Sequence, residues 1–348
     1  MPSSDGTHST IQRQRRRLRS ERGEVASWLI MAAGLCLAAA VTAGPLTTTF
    51  VSLVDGLGFG SEILAGPDID VGPPAEGEEP TAGNGPDNTG KYDDDRRIVG
   101  WEEVEDPLYR YGIHPDDVSQ GALNDCFFVS TLAALANLDP DIISDAIVDN
   151  GDGTYTVTLY EDGEPVEVTV TGDVPILEYY DEEMGVWRRS SRPPSAGDGD
   201  GEVWVRVLEQ AYATLLGDGD IIEGYGELNS GGSGSSAIEV LTGLDASYTK
   251  DDPSLDRLRE LLDQGPVLAN SHEYIPGSGW WVFGRQNGDY TVGANQITTW
   301  HQYWVDDILP DGTIIVRNPW DFYAERMEMT LEEFNEAFPG ITYSDQGR

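Results

Sequence analysis

Apolar positions along this 348-residue chain fall into three regimes. Residues 25–43, VASWLIMAAGLCLAAAVTA, are apolar without a period. Residues 44–100 are dominated by Gly, Pro, Asp and Glu, most densely from residue 58 onward, and hold too few large apolar groups to repay ordering. From Trp101 to about residue 340 apolar residues return with clear periods. The apolar run that starts at Cys126 predicts a helix. Tyr155, Val157 and Leu159, then Val166, Val168 and Val170, alternate on either side of Asp162-Gly163 and predict a hairpin. Trp204, Val207, Leu208, Ala211, Tyr212 and Leu215 share one face of a helix. DPSLDRLRELLDQG predicts another, with Asp252 as its cap and Pro253 in its first turn. PVLANSH, WWVFG, TWHQYWVDDI and TIIVRN are short, branched or aromatic, and separated by turn residues, so they predict strands. Helices gather in the first half and strands in the second. That order predicts an α+β fold of two packed subregions with a cleft between them.

Charge changes the picture at the N-terminus. RQRRRLRSER carries six of the nineteen arginines just ahead of the 19-residue apolar run. The division is therefore a basic segment 1–24, a transmembrane helix or signal peptide 25–43, an extended linker 44–100 and a folded body 101–340. As an anchor, residues 25–43 would keep the N-terminus inside and the body outside the membrane. Val41-Thr42-Ala43 supports the competing reading, a cleaved signal peptide and a secreted body. The net charge of −41 argues against nucleic acid or an anionic membrane surface as partner of the folded body. Nothing in the sequence sets an oligomeric state.

Candidate chemistry centres on Cys126. Its bland reading is a small buried apolar residue. Against that, Cys36 lies in the apolar run, so Cys126 has no disulfide partner in the body of a chain read as exported. A thiol in the first turn of a helix also meets the positive end of the macrodipole, which favours thiolate. A nucleophile needs a base, and the chain holds four histidines: His8, His114, His272 and His301. His301 lies in one predicted strand, and Asn318 stands seventeen residues later at the end of the next. That hairpin would set the Asn amide against one imidazole nitrogen and leave the other for the thiol. Gln120, six residues before Cys126, would join the Cys126 backbone amide in stabilising an oxyanion.

These residues resemble the calpain-like cysteine proteases, over residues 105 to 338. The family segment Gln-Gly-x-Leu-Gly-Asp-Cys-Trp is seen as Gln120 to Phe127. A Trp…Leu-Glu-Lys-Ala-Tyr-Ala helix is seen as Trp204 through Ala213, followed by Gly231-Gly232 and Leu241-Thr242-Gly243. His301 precedes Tyr303 by two positions, Asn318-Pro319-Trp320 matches Asn-Pro-Trp, and MTLEEFNEAF resembles the closing segment of the protease core. The resemblance implies a papain-like two-subdomain fold and a peptide-bond hydrolase. Cys126 would be the nucleophile, His301 the general base and acid, Asn318 the orienting amide and Gln120 the oxyanion donor. Gly231 and Gly232 would form a wall along which a protein or peptide substrate lies. Asn124, Phe127 and Asp321 depart from the family's glycine, tryptophan and glycine. Animal calpains respond to calcium, and Asp117 and Glu202 fall where one of their sites has acids. The chemistry itself requires no cofactor, so Ca2+ is an expectation resting on those two acids alone. The alternatives are a cell-surface binding protein that has lost turnover, and a papain-fold hydrolase or transferase with a non-peptide substrate.

Overall fold

The computed structural model describes residues 96–181, 184–190, 196–197, 201–278, 285–320 and 326–345. The basic segment 1–24, the anchor or signal 25–43, the linker up to residue 95 and the strand expected at WWVFG lie outside the described residues. In chain order the elements are β1 (Arg96–Glu102), a 3-10 turn (Pro115–Asp117), α1 (Cys126–Leu138), α2 (Pro140–Ala146), β2 (Ile147–Asp149), β3 (Tyr155–Glu161), β4 (Glu164–Val170), β5 (Val174–Asp181), β6 (Val186–Arg189) and α3 (Trp204–Leu216). Then follow α4 (Ile221–Asn229), α5 (Gly234–Thr242), β7 (Ala246–Thr249), α6 (Leu255–Gln264), β8 (Val267–Asn270), β9 (Asp289–Val292), β10 (Asn295–Thr298), β11 (Gln302–Ile308), β12 (Ile314–Arg317), β13 (Met327–Met329), α7 (Leu331–Ala337) and β14 (Gly340–Ser344).

The run CFFVSTLAALANL has no polar face, and the helix it forms is accordingly buried from Cys126 through Ala136. It ends at Asp139 because Pro140 cannot continue it, and the same proline opens α2 at its first position. The β3–β4 hairpin pairs Tyr155 with Val170 through Glu161 with Glu164. Asp162 (φ 53°) and Gly163 (φ 76°) both take positive φ, as a two-residue turn with the strands' twist requires. The cap of α6 is Ser254 rather than Asp252: its hydroxyl accepts the Arg257 N–H at 3.2 Å. Asp252 stands two residues too early to reach that amide.

The expected separation of helices from strands is only partly met, because β1 to β6 all precede α3. β1 starts at Arg96, five residues inside the stretch read as linker. It pairs antiparallel with β5, far along the chain, and β5 pairs with β6. The Arg97 guanidinium sits over Trp187 and bonds Glu178 at 2.9 Å, so the charged residues of this sheet are cross-strand partners rather than linker signals.

Two cores result, and the α+β two-part architecture is present. One gathers α1, α3, α4, α5 and the β3–β4 hairpin around Phe128, Leu132, Leu159, Trp204, Leu208 and Tyr225. The other lies between α6, α7 and an antiparallel six-stranded sheet of order β13-β12-β11-β8-β14-β7, around Leu258, Tyr303, Val305, Phe334 and Phe338. Leu268 of β8 and Trp304 of β11 belong to the first core, so the sheet's near face is the seam. Ser130 of α1 donates to the Gln302 carbonyl across it at 2.8 Å. Each large apolar side chain taken out of water here contributes about 1.5–3 kcal/mol. Among the described residues no single helix is long and apolar enough to cross a membrane.

Candidate active site

Cys126 is the first residue of α1, and its sulfur is buried at the seam. The loop that delivers it is held from both sides. The Asn124 backbone N–H donates to Asn229 Oδ1 at 3.1 Å, and Asn124 Nδ2 donates to the Asn229 carbonyl at 3.2 Å. Asn124 therefore fills the family's glycine position as a strut to the end of α4. On the other side the Gln120 N–H donates to the Pro319 carbonyl at 2.8 Å. Its side-chain Nε2 donates to the Leu123 carbonyl at 2.7 Å, which fixes the amide plane. The Asp116–Arg317 ion pair joins the same two segments one step further out.

His301 stands immediately before β11 rather than within it, and Asn318 immediately after β12. The antiparallel register of these strands, with Trp304 opposite Arg317, brings both residues to one end of the hairpin. Trp300 takes φ 54°, a left-handed turn costing a bulky residue about 1–2 kcal/mol, and its N–H is held by the His272 carbonyl at 3.0 Å. The His301 backbone then exchanges two hydrogen bonds with Ser271, its N–H to the serine hydroxyl at 2.9 Å and its carbonyl from the serine N–H at 3.0 Å. His301 Nε2 lies 2.8 Å from Asn318 Oδ1. That oxygen also accepts the Trp320 N–H at 3.0 Å, which identifies it as oxygen and places the imidazole proton on Nε2. Nδ1 is then the basic nitrogen. The Trp320 ring lies 4.3 Å from the imidazole centroid and the Tyr303 ring 4.9 Å, edge-on.

Electrostatics oppose the expected thiolate. Burial, and then the neighbouring Asp125 charge, push the Cys126 thiol up to about 12, although a hydrogen bond from the Gln302 backbone pulls the other way. That bond places the sulfur beside the residue that follows His301. Burial also lowers His301 to about 4, against the Asn318 hydrogen bond and the Asp289 charge, which raise it. Burial thus disfavours both the thiolate and the imidazolium, against the helix terminus, which favours the thiolate.

The remaining candidates divide. A Cβ on Gly232 would come within 2.5 Å of the Phe127 ring, so the missing side chain makes room for Phe127 from behind. Gly231 takes φ 80°. Asp117 is an internal acceptor: its Oδ2 takes the Trp204 indole N–H at 3.1 Å and the His114 N–H at 2.7 Å. Glu202 Oε2 takes the Arg110 N–H at 2.8 Å. Among the described residues no three His, Cys, Asp or Glu side chains gather as a metal site. Asp321 lies outside the described residues. His272 is turned to the Glu336 carbonyl at 3.0 Å, and His114 serves the 3-10 turn. Sequence reasoning missed Ser271, whose only signal is a serine in a β-rich segment, and the contact of Trp320 with the imidazole, signalled by the Asn-Pro-Trp triplet itself.

A family model described as calpain family cysteine protease matches residues 96–324. The chain is 27% identical over 222 residues to the calpain-type cysteine protease DEK1 of Zea mays, covering 61% of this chain and 9% of that protein. It is 32% identical over 120 residues to the calpain-type cysteine protease ADL1 of Oryza sativa subsp. japonica, covering 34% of this chain and 5% of that one. To the calpain-2 catalytic subunit of Mus musculus it is 26% identical over 253 residues, 66% of this chain and 32% of that protein. The chain thus spans about a third or less of the length of these relatives.

The neutral state of His301 makes a prediction about acid stability. Its folded value of about 4 lies below the ordinary 6.5, so its contribution is fully present above 6.5 and is lost as pH falls toward 4. The full effect is about 3 kcal/mol. Denaturant midpoints measured between these two pH values should fall more steeply for the native chain than for His301→Phe; parallel slopes would refute the buried neutral imidazole.

Proposed function

The chain belongs to the calpain family of cysteine proteases, and from that premise we propose that it is an endopeptidase working through Cys126, His301 and Asn318. The observation that carries the reading is the Nε2–Oδ1 bond of 2.8 Å, because it leaves Nδ1 without the proton and able to accept one from the thiol. The thiol proton passes to Nδ1 as sulfur attacks the peptide carbonyl, so the ion pair forms during the reaction and not at rest. The imidazolium then gives its proton to the leaving amine, and water hydrolyses the acyl-enzyme with His301 as base. Gln120 Nε2 carries two hydrogens. Leu123 takes one and sets the direction of the other, which serves the developing oxyanion together with the Cys126 amide. The substrate main chain runs along Gly231, with Phe127 backing Gly232.

Turnover of a fluorogenic peptide tests these roles. Cys126→Ala should abolish it, and His301→Ala should cost nearly as much because the two act as one unit. Asn318→Ala should be milder, and Gln120→Ala should lower kcat by roughly 10² to 10³ with little change in KM. A Cys126→Ala chain that still cleaves, freed of contaminating protease, overturns the assignment.

Calcium is a separate question with a separate measurement. If Asp117 and Glu202 hold a calcium ion, chelator should lower the rate, and equal rates in calcium and in chelator would exclude that site. A fall in chelator that disappears in the Asp117→Ala, Glu202→Ala double variant would assign those acids to a calcium ion.

For the cell, we propose that residues 25–43 anchor the chain with its N-terminus inside and the catalytic body outside. The arginine cluster ahead of the apolar run supports this orientation. Protease added to intact cells should remove the body and leave residues 1–24 protected. A body found only in the cytosol would exclude the topology, and a secreted body lacking residues 1–43 would favour the cleaved signal.

A further inference from the structure

Directly behind the sulfur lies a group that the reaction as proposed does not use. Asp125 occupies the N-cap position of α1, yet its side chain makes no cap hydrogen bond. Its backbone carbonyl accepts the Phe128 and Val129 N–H groups, at 2.8 and 3.0 Å, while the carboxyl turns inward. There it meets Glu209 of α3, and both residues are 0% exposed. The two carboxyl groups come within hydrogen-bonding reach of each other, and Glu209 Oε2 also accepts the Ala196 N–H at 2.9 Å.

Two carboxylates have four acceptor oxygens and no donor, so a hydrogen bond between them requires a proton. The surrounding charge says how many protons. Among the described residues, Arg206, three residues before Glu209 on α3, and Cys126, next to Asp125 on α1, are charged or titratable groups that interact with the pair. Arg206 is itself buried, with its NH1 donating to the Gly172 carbonyl at 3.2 Å. Two ionised carboxylates beside one guanidinium would leave a net negative charge buried away from solvent, and two protonated acids would leave a net positive one. One proton leaves the cluster neutral, and burial of a neutral cluster is far less costly.

We infer that Asp125 and Glu209 share a single proton, balanced by Arg206, and that this pair is a positioning device which holds the first turn of α1 and sets the charge seen by the Cys126 thiol. The inference rests on reading Cys126 as the nucleophile. With Glu209 as the protonated partner, its value is raised well above the ordinary carboxyl range, first by burial and then by Asp125. The ionised partner is then Asp125, the one adjacent to the sulfur, and its charge opposes thiolate formation. Burial is the first cause that disfavours the thiolate, and a carboxylate fixed in place by the proton on its neighbour adds to it, which lowers the thiol's exposure to adventitious oxidation. A raised folded value contributes stability below the ordinary carboxyl range that is lost as pH rises toward the folded value. The cluster therefore favours the folded catalytic helix on the acid side and loosens it on the alkaline side.

Infrared spectroscopy of the full-length chain near neutral pH tests the shared proton without reference to catalysis. The native protein should show the carbonyl band of a protonated carboxylic acid, shifted in heavy water, and Glu209→Gln or Asp125→Asn should remove it. A native spectrum without that band overturns the proposal, whether or not the chain cleaves peptides. The electrostatic half is read from the pH dependence of Cys126 alkylation by iodoacetamide, in a chain also carrying Cys36→Ser. Asp125→Asn should lower the midpoint by about one pH unit, equivalent to roughly tenfold faster alkylation on the rising limb. Glu209→Gln, which leaves the Asp125 charge in place, should not lower it. Equal shifts in both variants would mean that each merely loosens the helix start, and would overturn the assignment of the charge to Asp125. Loss of peptidase activity in Cys126→Ala with the band intact would uphold both readings, and loss of neither would refute the nucleophile while leaving the proton pair standing.

Discussion

The burial of α1 on every side is the constraint from which the site follows. A helix that is apolar all round has no face to give to water, so it becomes the wall shared by the two cores, and its first residue is carried into the seam. That placement aims the Cys126 sulfur at the strand that follows His301, and it also removes solvent. Removing solvent has an electrostatic consequence: the thiol is driven up and the imidazole down, so burial disfavours both ions. The macrodipole at the start of α1 favours a thiolate, but its effect of up to about 2 kcal/mol is smaller than the desolvation of a fully buried sulfur anion. Position and reactivity thus come from the same packing and pull in opposite directions. Proton transfer during attack on a bound substrate is the way both are satisfied.

Alignment across the seam is carried by a small number of polar contacts. Ser130 bonds the Gln302 carbonyl, the Gln120 N–H bonds the Pro319 carbonyl, and Asp116 pairs with Arg317, the residue before Asn318. Each joins a segment flanking Cys126 to one flanking His301 or Asn318. Backbone atoms take part in two of the three, so the register is set by main chain and not by long flexible side chains. The Asp116–Arg317 pair is partly exposed, and pairs of that kind are individually weak; it works here as the outer edge of an interface whose inner edge is dry.

Local signals in the sequence were read well where local physics decides. The Asp162-Gly163 turn, the amphipathic α3 and the helix opened by Cys126 each follow from residues within a dozen positions, and each is present. The His301–Asn318 contact was also legible, because two adjacent strands joined by a short turn leave little freedom in which residues meet. What escaped was set by distant partners. β1 reads as linker until β5 supplies its hydrogen bonds, and β5 and β6 alternate too weakly to stand out. Ser254 displaced Asp252 as a cap through a difference of two positions, finer than composition resolves. The upward push of burial on the thiol is not legible either, because a helix start is visible in sequence while the packing around it is not.

Glycine and phenylalanine at the seam show how a residue can be selected by what stands behind it. Gly232 is read from sequence as an open wall for a substrate, yet the nearest atoms to its absent Cβ belong to Phe127, the residue after the nucleophile. Phe127 in turn lies edge-on to Tyr212 of α3, and Phe128 stacks on the same ring at 4.8 Å. A side chain at 232 would therefore push first on Phe127, then on the first turn of α1, before it met any substrate. Close packing transmits such a displacement because the interior has no void to absorb it.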